Sequence, residues 1–356
     1  MKKTLLLFVA MLTLFLSACA SNFHTADINL HGVKLKNIKA HNAAAYYLAE
    51  DGTLYSTGAD SDASSYVVYQ DKEQGIVAYD VIAFQEIVSG GCYINSNNQL
   101  YMWCKKPNAL YNYSNANEHS CIMTDVKSVL PLTYSLLYTD LEDNLFLIGE
   151  YKENSYSTKK PLFLASGTSS VGAYGEKILW VNHTGNFDGS GFDDDFIAEL
   201  NERFAGTSVT SIQVQNDFLL FLVDGQLWFF GDYSKLINRN NTGKKQFVLL
   251  DQDITEISCS YRTVAALDGQ GCMKVWGRCI SNDKRNTDSP QYEYCDKRIV
   301  AENATSIFVS DSCICYIDAE GASHIYHSEG WTMFYGNATK DKCVGLNRTP
   351  NTWTKK

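Results

Sequence analysis

Asp224-Gly225-Gln226-Leu227-Trp228-Phe229-Phe230-Gly231, with the apolar run Phe218 to Val223 ahead of it, is the stretch that decides the architecture. It reads as strand, tight Asp-Gly turn, strand, and a glycine that ends the hairpin. The phrase can be marked by its turn glycine, an apolar residue two places on and a small residue six places on. It returns at Gly52 (Leu54, Gly58), Asn98 (Leu100, Cys104), Asp143 (Leu145, Gly149), Gly185 (Phe187, Gly191) and Gly271 (Met273, Gly277). A degraded copy sits at Gly321 (Ser323, His327). With Gly225 there are seven markers, 46, 45, 42, 40, 46 and 50 residues apart. A hairpin cannot bury its apolar face alone, so a period near 45 predicts like units packed against one another.

Between the hairpins run polar segments such as 60–75, 105–120 and 151–160, where binding residues would be displayed. One insertion differs. Asp193-Asp194-Asp195 opens a stretch in which Phe196, Ile197, Leu200 and Phe204 fall at helical spacing, with Arg203 in the last turn. Just before it, Asn186, Asp188 and Ser190 imitate the first ligands of a calcium loop. The glutamate required at the twelfth position is Ile197, and a hairpin turn explains the same residues.

The amino end sets the compartment. Lys2 and Lys3 precede an apolar run from Leu5 to Leu16, closed by Ser17-Ala18-Cys19. The run is too short to span a bilayer and reads as a signal peptide over residues 1–18. Leu16-Ser17-Ala18-Cys19 resembles a bacterial lipobox, which implies a lipid-anchored, extracytoplasmic chain acylated at Cys19; a secretory cut after Ala20 is the alternative. A tether over 19–32 then leads into a repeat domain at 33–340 and a closing segment or tail at 341–356. Without the signal peptide the formal charge is −12, and no basic cluster exceeds Lys34, Lys36 and Lys39, so nucleic acid is a poor partner.

Eleven cysteines are present, and setting Cys19 aside leaves an even number in an oxidising compartment. Position in the repeat suggests two disulfides, Cys104–Cys121 and Cys279–Cys295, each stapling a long loop. Spacing does not choose among the other six cysteines.

The pattern of apolar strand, Asp-Gly turn, Leu-Trp/Tyr-x-x-Gly and period near 45 resembles the repeats of the regulator of chromosome condensation family. Its best copies are Ala265 to Gly269 with Val275-Trp276-Gly277, Leu222 to Trp228, and Asp51 to Tyr55. The resemblance covers about residues 33–330, with weak fourth and seventh units. It implies an all-β, seven-bladed propeller with four-stranded blades and long inter-blade loops, part of the last blade supplied by the other end of the chain. An open solenoid is the structural alternative. The family's nuclear activities do not transfer to an exported acidic chain. Secreted bacterial relatives use loops on one face to bind protein, but no loop here matches theirs.

Chemistry has thin support, and no cofactor motif is present. His324 and His327 would point to opposite faces of a strand, and His119 near Cys121 is a weak nucleophile pair. Trp103, Trp228 and Trp276 recur at matching places and belong to packing. Tyr111, Tyr113, Tyr292 and Tyr294 are the candidate contact residues, because nothing periodic requires them. The expectation is a surface propeller that binds another macromolecule, a protein first and a carbohydrate as the competing ligand. A structural envelope role comes next, and catalysis last.

Overall fold

The computed structural model describes residues 28–30, 32–41, 44–57, 67–87, 90–104, 118–239, 243–280, 292–310, 313–327 and 343–344. Cys19, Tyr111 and Tyr113 lie outside these residues, and so do the side chains of Cys279 and Tyr292.

Seven antiparallel sheets follow one another along the chain, one per marker. Blade 1 is Leu35–His41, Ala44–Ala49, Leu54–Ser56 and Ile76–Ala78; blade 2 is Val81–Ile87, Gly90–Asn95, Leu100–Cys104 and Ser120–Met123. Blade 3 is Val126–Pro131, Ser135–Asp140 and Leu145–Tyr151, with both Asn154–Tyr156 and Leu162–Ala165 pairing that third strand. Blade 4 is Thr168–Tyr174, Lys177–Asn182 and Phe187–Ser190. Blade 5 is Val209–Val214, Phe218–Val223, Gln226–Gly231 and Gln246–Asp251; blade 6 is Ile254–Ser260, Thr263–Asp268, Met273–Ile280 and Tyr292–Ala301. Blade 7 is Ala304–Val309, Cys313–Asp318 and Ser323–His327. The protein is an all-β seven-bladed propeller whose described blades hold three to five strands.

The sequence markers are the joints of this ring. Each has a positive φ, from 58° at Asn98 to 86° at Gly52, a conformation that glycine adopts freely and Asn or Asp tolerates. Six marker carbonyls accept the first N–H of the next blade. Val81 donates to Gly52 (2.8 Å), Val126 to Asn98 (2.9 Å), Thr168 to Asp143 (2.7 Å), Ile254 to Gly225 (2.8 Å) and Ala304 to Gly271 (2.9 Å). The sixth, Leu35 to Gly321 at 3.1 Å, joins blade 7 to blade 1 and closes the circle. The expected sharing of a blade between the two ends is therefore not seen among the described residues. Ile28–Asn29 pairs in parallel with Cys343–Val344 instead.

A second device repeats three residues before the marker. The Oδ1 atoms of Asn95, Asp140, Asn182, Asp268 and Asp318 each accept two N–H groups of the following turn, at 2.8–3.1 Å. The side chain supplies acceptors that a turn would otherwise leave to water.

Apolar clusters fill the seams between blades. The seam of blades 5 and 6 holds Leu220, Phe229, Ile257 and Trp276, and that of blades 7 and 1 holds Ile38, Tyr47, Cys315 and Ile317. Trp103 and Trp276 are buried and Trp228 half-buried, as packing residues should be.

Blade 4 lacks a fourth strand among the described residues. The helix Asp194–Arg203, close to where the apolar spacing predicts one, follows its third strand and packs Leu200 and Phe204 into the seam with blade 5. The Asn201 amide accepts from the Phe187 N–H (2.6 Å) and donates to the Phe187 C=O (3.0 Å), doing the work of a strand's backbone at that edge. Asn186, Asp188 and Ser190 thus belong to a turn and a strand. Asn186 Nδ2 donates to Thr184 Oγ1, and Ser190 Oγ accepts from Tyr151 and Lys152. No group of three or more His, Cys, Asp and Glu side chains that could hold a metal ion occurs among the described residues.

Candidate functional site on the loop face

Antiparallel strands reverse at every connection, so in each blade the connections 1–2 and 3–4 leave from one end. Connections 2–3 and the links to the next blade leave from the other. The marker turns and the links Tyr79–Asp80, Thr124–Asp125, Ser166–Gly167, Gln252–Asp253 and Glu302–Asn303 therefore share one face. The strand ends that flank 57–75, 105–119, 232–245 and 281–291 share the other. The long loops are thus not between blades, as the repeat spacing suggested. They join third to fourth strands within a blade.

On this loop face, blades 5 and 6 carry polar groups already engaged with each other. Tyr233 donates to Asp296, whose carboxylate also lies 3.4 Å from Arg239, and Lys235 pairs with Asp217 at 2.6 Å. Arg262 lies over the Tyr261 ring and donates to the Tyr294 hydroxyl at 3.2 Å, which raises the guanidinium pKa. Tyr294, expected as a loop contact, is instead a half-buried residue of the outer strand Tyr292–Ala301.

Between blades 3 and 4 the face opens into a groove of about 540 Å³, walled by turn 132–135, hairpin 150–155 and turn 175–176. Gly149 makes the first wall possible. A Cβ there would lie 2.4 Å from the Tyr134 carbonyl oxygen. At the hairpin tip Lys152 and Glu153 both have positive φ, 45° and 63°, a strained choice for residues with side chains. The Lys152 ammonium donates to Ser190 Oγ (2.7 Å) and lies over the Tyr151 ring, while the Tyr151 hydroxyl reaches the same oxygen at 2.6 Å. Glu150, Glu153 and Glu176 are exposed and make no ion pair among the described residues. Tyr134, at 54% exposure, stands in the wall.

Beneath the loop face, near the axis, first strands of adjacent blades touch through polar side chains. Lys39 donates to Gln85, Gln85 to the Val129 carbonyl (3.2 Å), and the Ile307 and Val309 N–H groups donate to Glu256 and Ser258. Burial lowers the Lys39 pKa to about 8, although solvent still reaches part of the side chain. Burial raises Glu86 to about 8, reinforced by Cys313, and pushes Cys92 up to about 12. At neutral pH Cys92 is therefore a thiol and a poor nucleophile. These contacts lock the ring together.

The cysteine expectations divide. Cys104 and Cys121 are not joined. Cys121 stands opposite Tyr101, so its side chain is on the 101/103 face of the sheet, and Cys104 is buried on the other. Cys295 is disulfide-bonded, and register places it opposite Gly277, diagonal to Cys279. His119 is held by Val68 and Tyr93 against the Trp103 ring, and burial lowers its pKa. His324 Nε2 donates to Asp318 Oδ2 at 2.6 Å, and its ring stacks on Tyr316.

No protein-family model and no curated protein matches the chain. Solved structures of similar shape include human WBSCR16, with 13% identity over 82% of this chain and 77% of that one, at a TM-score of 0.40. Yeast RCC1 (Prp20) bound to Kap60 shares 12% over 87% and 74%, at 0.45. The C-terminal domain of gp131 from bacteriophage phiKZ shares 9% over 89% and 98%, at 0.49. Likeness at this level names neither family nor activity. The propeller stands on the strand order and joints of this chain.

Nothing in the sequence pointed to the groove. Two of its walls are paired within blade 3, and only the adjacency of blades 3 and 4 adds the third.

Proposed function

We propose that the protein is an extracytoplasmic lipoprotein, anchored through Cys19, whose loop face binds another protein. The observation that carries this reading is the segregation of the long third-to-fourth-strand connections to one face of a rigid ring. That leaves one surface free to vary while the opposite one holds the blades together. The lipobox-like junction supports the anchoring, and the proposed site in the envelope follows from it.

Affinity capture from envelope and host extracts with the soluble chain beginning at Ser21 tests the binding. Tyr111→Ala/Tyr113→Ala and marker-face Glu142→Gln variants run beside it. A partner retained by the wild type and by Glu142→Gln, but weakened by the tyrosine variant, is expected. Retention of nothing, or of the same partners equally by all three, overturns the reading. For the anchor, Cys19→Ala should abolish lipid labelling, and a native chain starting at Ser21 would sink it.

A further inference from the structure

The loop face offers two kinds of surface, and only one is available to a ligand. Over blades 5 and 6 the charges of Lys235, Arg239 and Arg262 are met by Asp217, Asp296 and tyrosine hydroxyls within the chain. In the groove between blades 3 and 4 the one lining cation, Lys152, is already held by Ser190 and the Tyr151 ring, whereas Glu150, Glu153 and Glu176 are exposed and unpaired among the described residues. Leu132 and Tyr151 form an apolar floor, and Tyr134 projects from the wall.

We propose that this groove docks a basic segment of a partner polypeptide, an arginine or lysine side chain entering among the three carboxylates with its stem along Tyr134. The inference rests on the loop-face reading and specifies the partner chemistry. Three observations carry it. The volume, about 540 Å³, suits the insertion of one or two side chains. The lining is net negative, three carboxylates against the one ammonium of Lys152, and a guanidinium both pairs bidentately with carboxylate and stacks on an aromatic ring. The wall is preorganised, because Gly149 lets Tyr134 and Ser135 close onto the third strand, and Gly175 leaves the far side open, with no atom within 4 Å of where its Cβ would be. A neutral sugar could use Tyr134 but would leave the charge unanswered.

The test is fluorescence anisotropy with the soluble chain from Ser21. The probe is a labelled hexapeptide alternating glycine and arginine, compared with its glutamine-for-arginine counterpart. Saturable binding of the arginine peptide is expected, falling as salt rises. E150Q/E153Q/E176Q should weaken it by about tenfold and Tyr134→Ala by about threefold, while Glu142→Gln on the opposite face leaves it unchanged. All these positions are exposed, and a melting curve verifies each fold. Equal binding of the glutamine peptide, an unaffected triple variant, or an equal loss in Glu142→Gln overturns the proposal. So does Tyr134-dependent binding of neutral oligosaccharides without peptide binding. If the triple variant still captures the wild-type partner, the groove assignment fails and the loop-face reading stands. If no loop-face variant alters capture, the broader reading fails on its own.

Discussion

The marker face and the loop face are built from the same seven hairpins under opposite rules. On the marker face one geometry is repeated: a left-handed residue, a side-chain cap three residues earlier, and a carbonyl that holds the next blade. On the loop face no two connections between third and fourth strands agree in length. Blade 3 folds an extra hairpin there, blade 4 sends out a helix, and blades 1, 2, 5 and 6 carry long segments. Stability is concentrated where the chain repeats itself, and recognition has room where it does not.

Substitutions can break or sharpen that contrast. The largest effect belongs to Asp268, which caps its turn and pairs at 2.9 Å with Lys274, itself 3.1 Å from Asp251. Asp268→Ala leaves a buried cation short of a partner and should cost about 3 kcal/mol in urea unfolding, without altering loop-face binding. Blade 7 has His324 where blade 6 has Lys274, 2.6 Å from the equivalent Asp318, so Asp318→Ala should likewise lower stability in urea unfolding. Burial works to raise both aspartates, but their hydrogen bonds outweigh it and hold them below the usual carboxylate value. Their contribution is thus present above the ordinary carboxylate pKa and fades as pH falls through the depressed one.

Cys295 tests the contrast from the other side, since its bond is made at the loop-face end of blade 6. Non-reducing peptide mapping should link it to Cys279, and Cys295→Ser should cost roughly 2–4 kcal/mol. A link to another cysteine would refute the pairing. Next comes Asn201. Asn201→Ala removes both bonds to Phe187 and should cost about 2 kcal/mol, with faster amide exchange at Phe187 as the local readout.

The axis supplies a smaller effect of opposite sign. Glu86, raised from 4.5 to about 8, favours the fold while protonated, and that contribution drains away as pH rises from 4.5 toward 8. Glu86→Gln should flatten this decline, so melting curves at pH 5 and 8 differ less in the variant than in the wild type. The smallest shift is expected for E150Q/E153Q/E176Q, within about 0.5 kcal/mol of wild-type stability because each side chain is exposed. A large loss there would mean that the groove is structural.

The two faces also differed in legibility. The markers could be read because a left-handed residue at a fixed period restricts the choice to Gly, Asn and Asp. The caps at Asn95, Asp140, Asn182, Asp268 and Asp318 are equally periodic, but Asn and Asp suit any polar turn, and only the folded turn shows that each carboxamide or carboxylate oxygen holds two N–H groups. The helix at Asp194–Arg203 was visible in its apolar spacing, whereas the Asn201 side chain replacing a strand's backbone left no pattern. The Cys104–Cys121 pairing expected from the repeat is not formed, because separation along the chain ignores strand parity. Tyr294 looked like a loop residue because the outer strand of blade 6 begins earlier than its weak alternation suggested. The groove was hidden for a deeper reason. Strand pairing within blade 3 joins 132–135 to 150–155, but neither has any relation to 175–176 until blades 3 and 4 stand side by side.

The bond from Leu35 to Gly321 has one more consequence. A linear stack has two end units with a single neighbour each, and those fray first. Closing the circle with the joint used at five of the other six junctions leaves no end unit to fray, so losing any blade means parting two seams at once. The Leu35 amide should then exchange with solvent no faster than those of Val81 and Ile254, and the ring should melt in a single transition.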